Sequence, residues 1–231
     1  MKASDLFVKC LETEGVTKIF GIPGEENADL MISLKKSKIE FVLCRHEQAA
    51  AFMADVYGRL TGKAGVCLAT LGPGVTNLMT GLADANMDRA PVVAIIGQGS
   101  TERLHKESHQ IMDSISMVAP ISKWAQTILS AKNVTEVVRK AFKVAETEKP
   151  GVTVIELPED VAKEEVNEDP IKPSLIRRPA ADNRAINEAI DLIISAKNPI
   201  ILAGNGTIRK RASHRLRTLV ENLGVGVINT F

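Results

Sequence analysis

Aromatic side chains are scarce in this 231-residue chain, with six Phe, one Tyr and one Trp making up 3% of it. Any core must be assembled from small aliphatic side chains, the profile of a soluble α/β protein. Charge of one sign is also missing: 29 Lys and Arg face 28 Asp and Glu, for a formal net charge of +1. That balance gives no footprint for nucleic acid, and Arg209-Lys210-Arg211 is a run short enough to be a solvated helix face. Only three cysteines occur, Cys10, Cys44 and Cys67, without the paired spacing of a zinc site or disulfide framework. Cys44 and Cys67 sit in apolar runs and read as buried small hydrophobes in a reducing compartment. No apolar run reaches membrane-spanning length, and Met1-Lys2-Ala3-Ser4-Asp5 leads straight into an amphipathic helix without the character of a signal peptide. A cytoplasmic protein with no membrane partner is the expectation. His105 and His109 are spaced i,i+4, but no companion carboxylate set accompanies His46, His105, His109 and His214, so no metal site is expected among these residues. Neither a G-x-x-x-x-G-K-S/T loop, a G-x-G-x-x-G loop nor a G-x-S-x-G elbow is present, which argues against nucleoside triphosphate binding and serine hydrolysis.

What the chain does have is alternation of short apolar runs with helix-length periodic segments. Strands are expected at Lys18 to Ile22, Ile39 to Cys44, Gly65 to Thr70, Val92 to Gly97, Trp124 to Leu129 and Val152 to Leu157. Helices are expected near 4–14, 26–36, 46–61, 74–87, 108–117 and 133–147. The strands are near-continuous in Val, Ile and Leu, which implies burial on both faces. The fold class is therefore α/β, a doubly wound, mostly parallel six-stranded sheet covering residues 1–160. Residues 161–182 lie in a stretch of clustered acids and prolines and read as a linker. From 183 to 231 a second α/β unit opens with helix, strand, a Gly204-Asn205-Gly206 turn, helix and strand. Two strands leave an apolar edge uncovered, so the chain reads as the front of something longer.

If the sheet is parallel, four strand ends converge on one rim, where open α/β sheets bind ligands. The most telling is His46-Glu47-Gln48, a lone carboxylate where a strand hands over to the apolar helix beginning Ala49-Ala50-Ala51. Poor solvation there suits Glu47 to exchanging a proton with a ligand nitrogen; the plainer account is that it favours the helix start through the macrodipole. Gly21-Ile22-Pro23-Gly24 and Leu71-Gly72-Pro73-Gly74 are glycine-proline turns that open helices and admit a ligand to the backbone. Thr70, Thr76 and Asn77 add hydroxyl and amide groups, each also explicable as a cap or packing residue. A fourth loop follows Gly97-Gln98-Gly99 and holds Arg103, His105, His109 and Gln110.

Taken in order and spacing, Gly21 to Gly24, Arg45 to Ala54, Tyr57 to Gly62, Leu71 to Asn77 and Gly81 to Ala85 resemble the pyrimidine-binding domain of thiamine-diphosphate enzymes. Within that superfamily the chain looks most like an acetolactate synthase. Arg103 to Lys106, Ser108-His109-Gln110 and Pro120 to Lys123 are closer to the catabolic, flavin-independent type. The resemblance implies that Glu47 hydrogen-bonds N1′ of the cofactor's aminopyrimidine and favours the tautomer that activates the thiazolium carbon. It implies that Pro23 and Gly24 approach the pyrimidine, and that Thr70, Gly72, Pro73 and Asn77 line the pocket near it. His109 and Gln110 would face the substrate side, and pyruvate would be decarboxylated and joined to a second 2-keto acid, giving 2-acetolactate. Magnesium is implied too, its ligands in a C-terminal domain beyond this sequence, and catalysis implies at least a homodimer. Flavin is not expected. Two departures from the family pattern stand out: Glu25-Glu26 replaces smaller or less acidic residues, and Leu71 replaces a serine. Another thiamine-diphosphate-dependent decarboxylase or carboligase, or a non-catalytic module needing a separate diphosphate-binding subunit, are the alternatives.

Overall fold

A computed structural model describes residues 1–174, 180–207 and 212–230, so the basic run at 209–211 lies outside the described residues. The chain divides into two compact units, Met1–Ile176 and Arg177–Phe231.

The first unit contains six parallel strands: β1 (Lys18–Gly21), β2 (Glu40–Leu43), β3 (Gly65–Ala69), β4 (Val92–Gln98), β5 (Trp124–Thr127) and β6 (Val152–Pro158). Their order across the sheet is β2-β1-β3-β4-β6-β5. Helices α1 (Ala3–Thr13), α2 (Ala28–Lys35), α3 (Glu47–Thr61), α4 (Pro73–Met87), α5 (Ser114–Val118), α6 (Val134–Glu146) and α7 (Glu159–Lys163) alternate with them. The six-stranded parallel sheet is the one the apolar runs predict. Each central strand divides its side chains between two cores. Val66, Leu68, Val93, Ile95, Ile155 and Leu157 face a layer with Leu6, Phe7, Leu11, Leu30 and Phe142. Cys67, Ala69, Val92, Ala94, Ile96 and Val154 face the opposite layer with Ala50, Ala51, Ala54, Leu78 and Leu82. With a covering layer on each face, neither shows the polar alternation of a half-solvated strand.

The second layer is thin because its residues are small. A side chain carbon at Gly81 would lie 2.6 Å from Ala51 Cβ, one at Gly58 would lie 2.4 Å from Pro91 O, and one at Gly65 would lie 2.0 Å from Ala54 O. α3 is thereby pressed against both α4 and the start of β3. It begins with the His46 ring accepting a hydrogen bond from Gln48 N at 3.1 Å, and ends on Gly62 at φ 69°. Across α3 and α4, Arg59 pairs with the buried Asp55 and with Asp84 and Asp88.

Two expectations change. The helix expected over 108–117 is confined to Ser114–Val118, started by Asp113 accepting from Ser116 N at 3.0 Å. Upstream, Gln110 adopts φ 56° and Arg103 bonds the Ser108 hydroxyl, which is incompatible with a continuous helix. The segment expected to act as a linker from 161 starts inside the first unit instead. Val161, Ala162 and Val166 are buried in its core, and the Met1 amine donates to Val166 O at 3.0 Å. The acids around them are solvated while the aliphatic side chains pack.

Burial pushes the Cys10 and Cys67 thiols up to about 12 and raises Cys44 as well. Since the thiolate is the nucleophile, a disulfide-exchange dye at pH 8 is expected to find no rapidly reacting thiol in the native chain. All three free cysteines should react once the chain is unfolded in guanidinium. A fast native equivalent would contradict the packing around these side chains.

In the second unit, α8 (Asn183–Ser195), β7 (Ile200–Ala203), α9 (Ala212–Leu223) and β8 (Gly226–Asn229) form a two-stranded parallel sheet with helices. Ile190, Leu192, Ile194, Leu202, Leu223 and Ile228 are exposed there. Among the described residues no helix is long and apolar enough to cross a membrane.

Candidate cofactor site

Because every strand is parallel, Gly21, Leu43, Ala69 and Gln98 end on the same rim of the sheet. β1 lies between β2 and β3, so the chain leaves β1 to one side and later returns on the other. This is a topological switch point, where loops diverge and open a crevice. The Gly21 to Asn27 turn follows β1, Glu47 follows β2, and the Thr70 to Gly74 turn follows β3.

The loop after β1 is fastened to the end of β3 by polar contacts. Asn27 is buried and donates from Nδ2 to Ala69 O at 3.0 Å, and its Oδ1 lies where a side chain on Gly97 would otherwise sit. Thr70 Oγ1 donates to Glu26 Oε2 at 2.8 Å. Gly24 is backed against Thr70 so closely that a Cβ would meet the threonine at 2.4 Å. Pro23 is exposed at the tip and Glu25 points to solvent, while Glu26 is half-buried on Thr70.

The turn after β3 starts α4 with Gly72 at φ 55° and Pro73 at the first helical position. Thr76 Oγ1 bonds back to Pro73 O at 2.9 Å, so this hydroxyl serves the helix start. Asn77 does something different: its Nδ2 donates to Glu47 Oε2 at 3.0 Å. Glu47 is half-buried, and its other oxygen lies 3.7 Å from where a Gly74 side chain would project. Leu71 is fully buried and adds packing to the core.

The loop after β4 reaches the same turn. A Cβ on Gly72 would lie 2.7 Å from Gln110 O, so the Gln110 backbone rests against the turn that opens α4. His109 is exposed beside it. Thus Gly24, Glu26 and Thr70 form one contact set, Glu47, Asn77 and Gly74 a second, and Gln110 with Gly72 a third. Among the described residues, no cluster of three or more His, Cys, Asp or Glu could hold a metal ion. The sequence reading places Gln98 at the start of the fourth rim loop but misses Glu156, although an acid inside the apolar run Val152 to Leu157 was its signal. Burial pushes the Glu156 carboxyl up, opposed by hydrogen bonds from Thr127, Gln98 and Ser114.

Residues 1–117 match the family described as thiamine pyrophosphate enzyme, N-terminal TPP binding domain. The chain belongs to the thiamine pyrophosphate enzymes. Residues 186–231 match the central domain of the same enzymes. A relative in Methanococcus aeolicus named "Probable acetolactate synthase large subunit" is 40% identical over 241 residues, covering 100% of this chain and 40% of its own length. The catabolic acetolactate synthase of Raoultella terrigena is 40% identical over 218 residues, 92% of this chain and 39% of the relative. The glyoxylate carboligase of Escherichia coli O157:H7 is 37% identical over 234 residues, 100% of this chain and 40% of the relative. The chain therefore spans about 40% of the length of these curated relatives.

The rim suits a thiamine pyrimidine. A carboxylate already accepting one amide hydrogen bond, Glu47, stands beside glycine turns where no Cβ fits or none intrudes. None of the three contact sets includes a Lys or Arg.

Proposed function

We propose that this chain supplies the pyrimidine-binding half of the active site of an acetolactate-synthase-like carboligase. The observation that carries the reading is the Glu47–Asn77 hydrogen bond at the switch point. Glu47 would hold a proton for the cofactor's pyrimidine nitrogen, and Asn77 would fix the orientation of the carboxylate that does so. Pro23, Gly24, Thr70, Gly72 and Pro73 would bound the pocket, with Gln110 and His109 toward the substrate. When bound, thiamine diphosphate supplies the carbanion chemistry, and the protein contributes orientation and an acid-base partner. The overall reaction would release carbon dioxide from one pyruvate and join the two-carbon remainder to a second 2-keto acid, giving 2-acetolactate.

The diphosphate and its Mg2+ would be held by a domain outside this sequence, contributed by a second subunit facing this rim, so the working assembly is at least a homodimer. A flavin has no assigned part in this reading. Three buried free thiols fit a reducing, cytoplasmic setting. Glu26, held on Thr70 beside the crevice, supports a second reading in which the donor is a 2-keto acid other than pyruvate.

The test is turnover by the full-length protein with thiamine diphosphate and Mg2+. One carbon dioxide released per two pyruvates consumed, with 2-acetolactate formed, is the expected result. Turnover confined to another 2-keto acid selects the second reading, and no turnover with any 2-keto acid rejects both. The 231-residue chain alone is expected to show no saturable heat when titrated with thiamine diphosphate and Mg2+. Tight binding by that chain would overturn the assignment of the diphosphate site to another domain.

A further inference from the structure

Glu156 is 4% exposed at the end of β6 and has no part in the proton transfer assigned to Glu47. Its Oε2 accepts from Thr127 Oγ1 at 2.7 Å and its Oε1 accepts from Gln98 Nε2 at 3.0 Å. Gln98, 2% exposed, uses the same amide to close a loop. Nε2 also donates to Met112 O at 3.1 Å, and Oε1 accepts from Gly99 N at 3.0 Å. One side chain thus ties the first residue of the 99–112 loop to the last.

An amide can be turned either way, its oxygen and nitrogen exchanging places. Both Glu156 oxygens accept, so the Gln98 nitrogen is drawn toward Glu156 and Met112 O. The amide oxygen is then left for Gly99 N. The carboxylates that follow on α7 fasten the same loop further along. Glu159 accepts from Ser100 N at 3.3 Å and from Arg103 Nη1 at 3.3 Å, and Asp160 accepts from Thr101 N at 3.0 Å. Beyond these ties the loop carries Gln110, whose backbone rests on Gly72. That turn opens α4, the helix on which Asn77 reaches Glu47.

We propose that Glu156 and Gln98 are positioning residues for the substrate side of the crevice: the carboxylate sets the amide, and the amide holds the 99–112 loop closed against the Gly72 turn. The inference rests on the crevice being a cofactor and 2-keto acid site, but its first measurement does not. If only the closed loop completes the substrate side, a shift toward the open loop multiplies apparent substrate affinity by the closed fraction and leaves turnover of the closed complex alone.

Hydrogen exchange on the 231-residue chain compares Glu156→Leu, which cannot orient the amide, with Glu156→Gln, which can still accept. Amides of 100–112 are expected to exchange roughly tenfold faster in the leucine variant, the scale of losing one buried hydrogen bond. The glutamine variant should stay nearer the parent, and β3 and β4 should be unchanged in both. In the full-length protein, Glu156→Leu should raise KM for the 2-keto acid by the factor by which the closed fraction falls, with kcat close to the parent's. Unchanged loop exchange, or faster exchange spread evenly through the sheet, would overturn the proposal. So would a loop open in most molecules with KM unaltered. Should Glu156→Leu not fold, Gln98→Met removes both loop hydrogen bonds while Glu156 keeps Thr127, and the same outcomes apply. A parent protein without turnover would reject the functional reading and leave the loop measurement standing.

Discussion

Glu47→Gln in the full-length protein is expected to lower kcat by roughly 10²–10⁴-fold, the range that a positioned proton donor or acceptor contributes. The melting temperature should hardly move. Glutamine keeps a carbonyl oxygen that accepts from Asn77 Nδ2, so the link between α3 and α4 survives. Position 47 is half-buried at the first turn of its helix, and the amide brings no volume that the carboxylate lacks. What is lost is the capacity to take up and give back a proton. If turnover persisted near the parent's while the fold was intact, Glu47 would be a helix-start residue and the assignment would fail. If activity fell together with the melting temperature, the variant would report on packing, and Asn77→Asp, which alters the same contact, would not separate the two.

Arg139→Met should produce the largest loss of stability, about 3–5 kcal/mol at neutral pH. Arg139 on α6 donates to Glu14, which follows the end of α1, and the two side chains are only 12% and 6% exposed. Burial already pushes the Glu14 carboxyl above its ordinary range despite the guanidinium beside it. Without that cation the carboxylate would be buried and unpaired. The pH dependence follows from the sign of the shift: a native carboxyl with raised affinity for protons penalises folding above its native pKa. That penalty is relieved as pH falls toward the unfolded value. The deficit of Arg139→Met, measured by urea unfolding, should therefore shrink on acidification, and Glu14→Gln in the same background should recover much of it at pH 7. A deficit independent of pH would mean that the loss came from packing of the arginine stem.

The strands β3, β4 and β6 were readable because a parallel sheet covered on both faces needs unbroken aliphatic runs, and the chain supplies them. Strand order was not readable, since nothing in Val92 to Gly97 says which neighbours it will pair with. Glu47 stood out as a single carboxylate at a strand-to-helix handover. Asn77 was readable as a rim residue, but its bond to Glu47 was not, since only the side-by-side packing of α3 and α4 joins the two. The 108–117 segment misled because its apolar spacing fits a helix. Arg103 takes the Ser108 hydroxyl and Gln98 takes Met112 O, and both contacts come from residues upstream of the segment itself. In the same way the acids from Glu159 onward masked Val161, Ala162 and Val166, whose burial depends on α1 and the sheet beneath them.

The glycines packed in and against α3 have a bearing on laboratory evolution of this protein. Gly58, Gly65 and Gly81 each stand where a single added methyl would strike a backbone or Cβ atom 2.0–2.6 Å away. Overpacking of that kind forces backbone movement, and α3 carries Glu47 on its first residue. A library aimed at new substrates can therefore spend its diversity on the exposed rim at Glu25, His109 and Gln110. Randomising the three glycines would instead reposition the carboxylate blindly, and most such clones would be discarded for a displacement made outside the pocket itself.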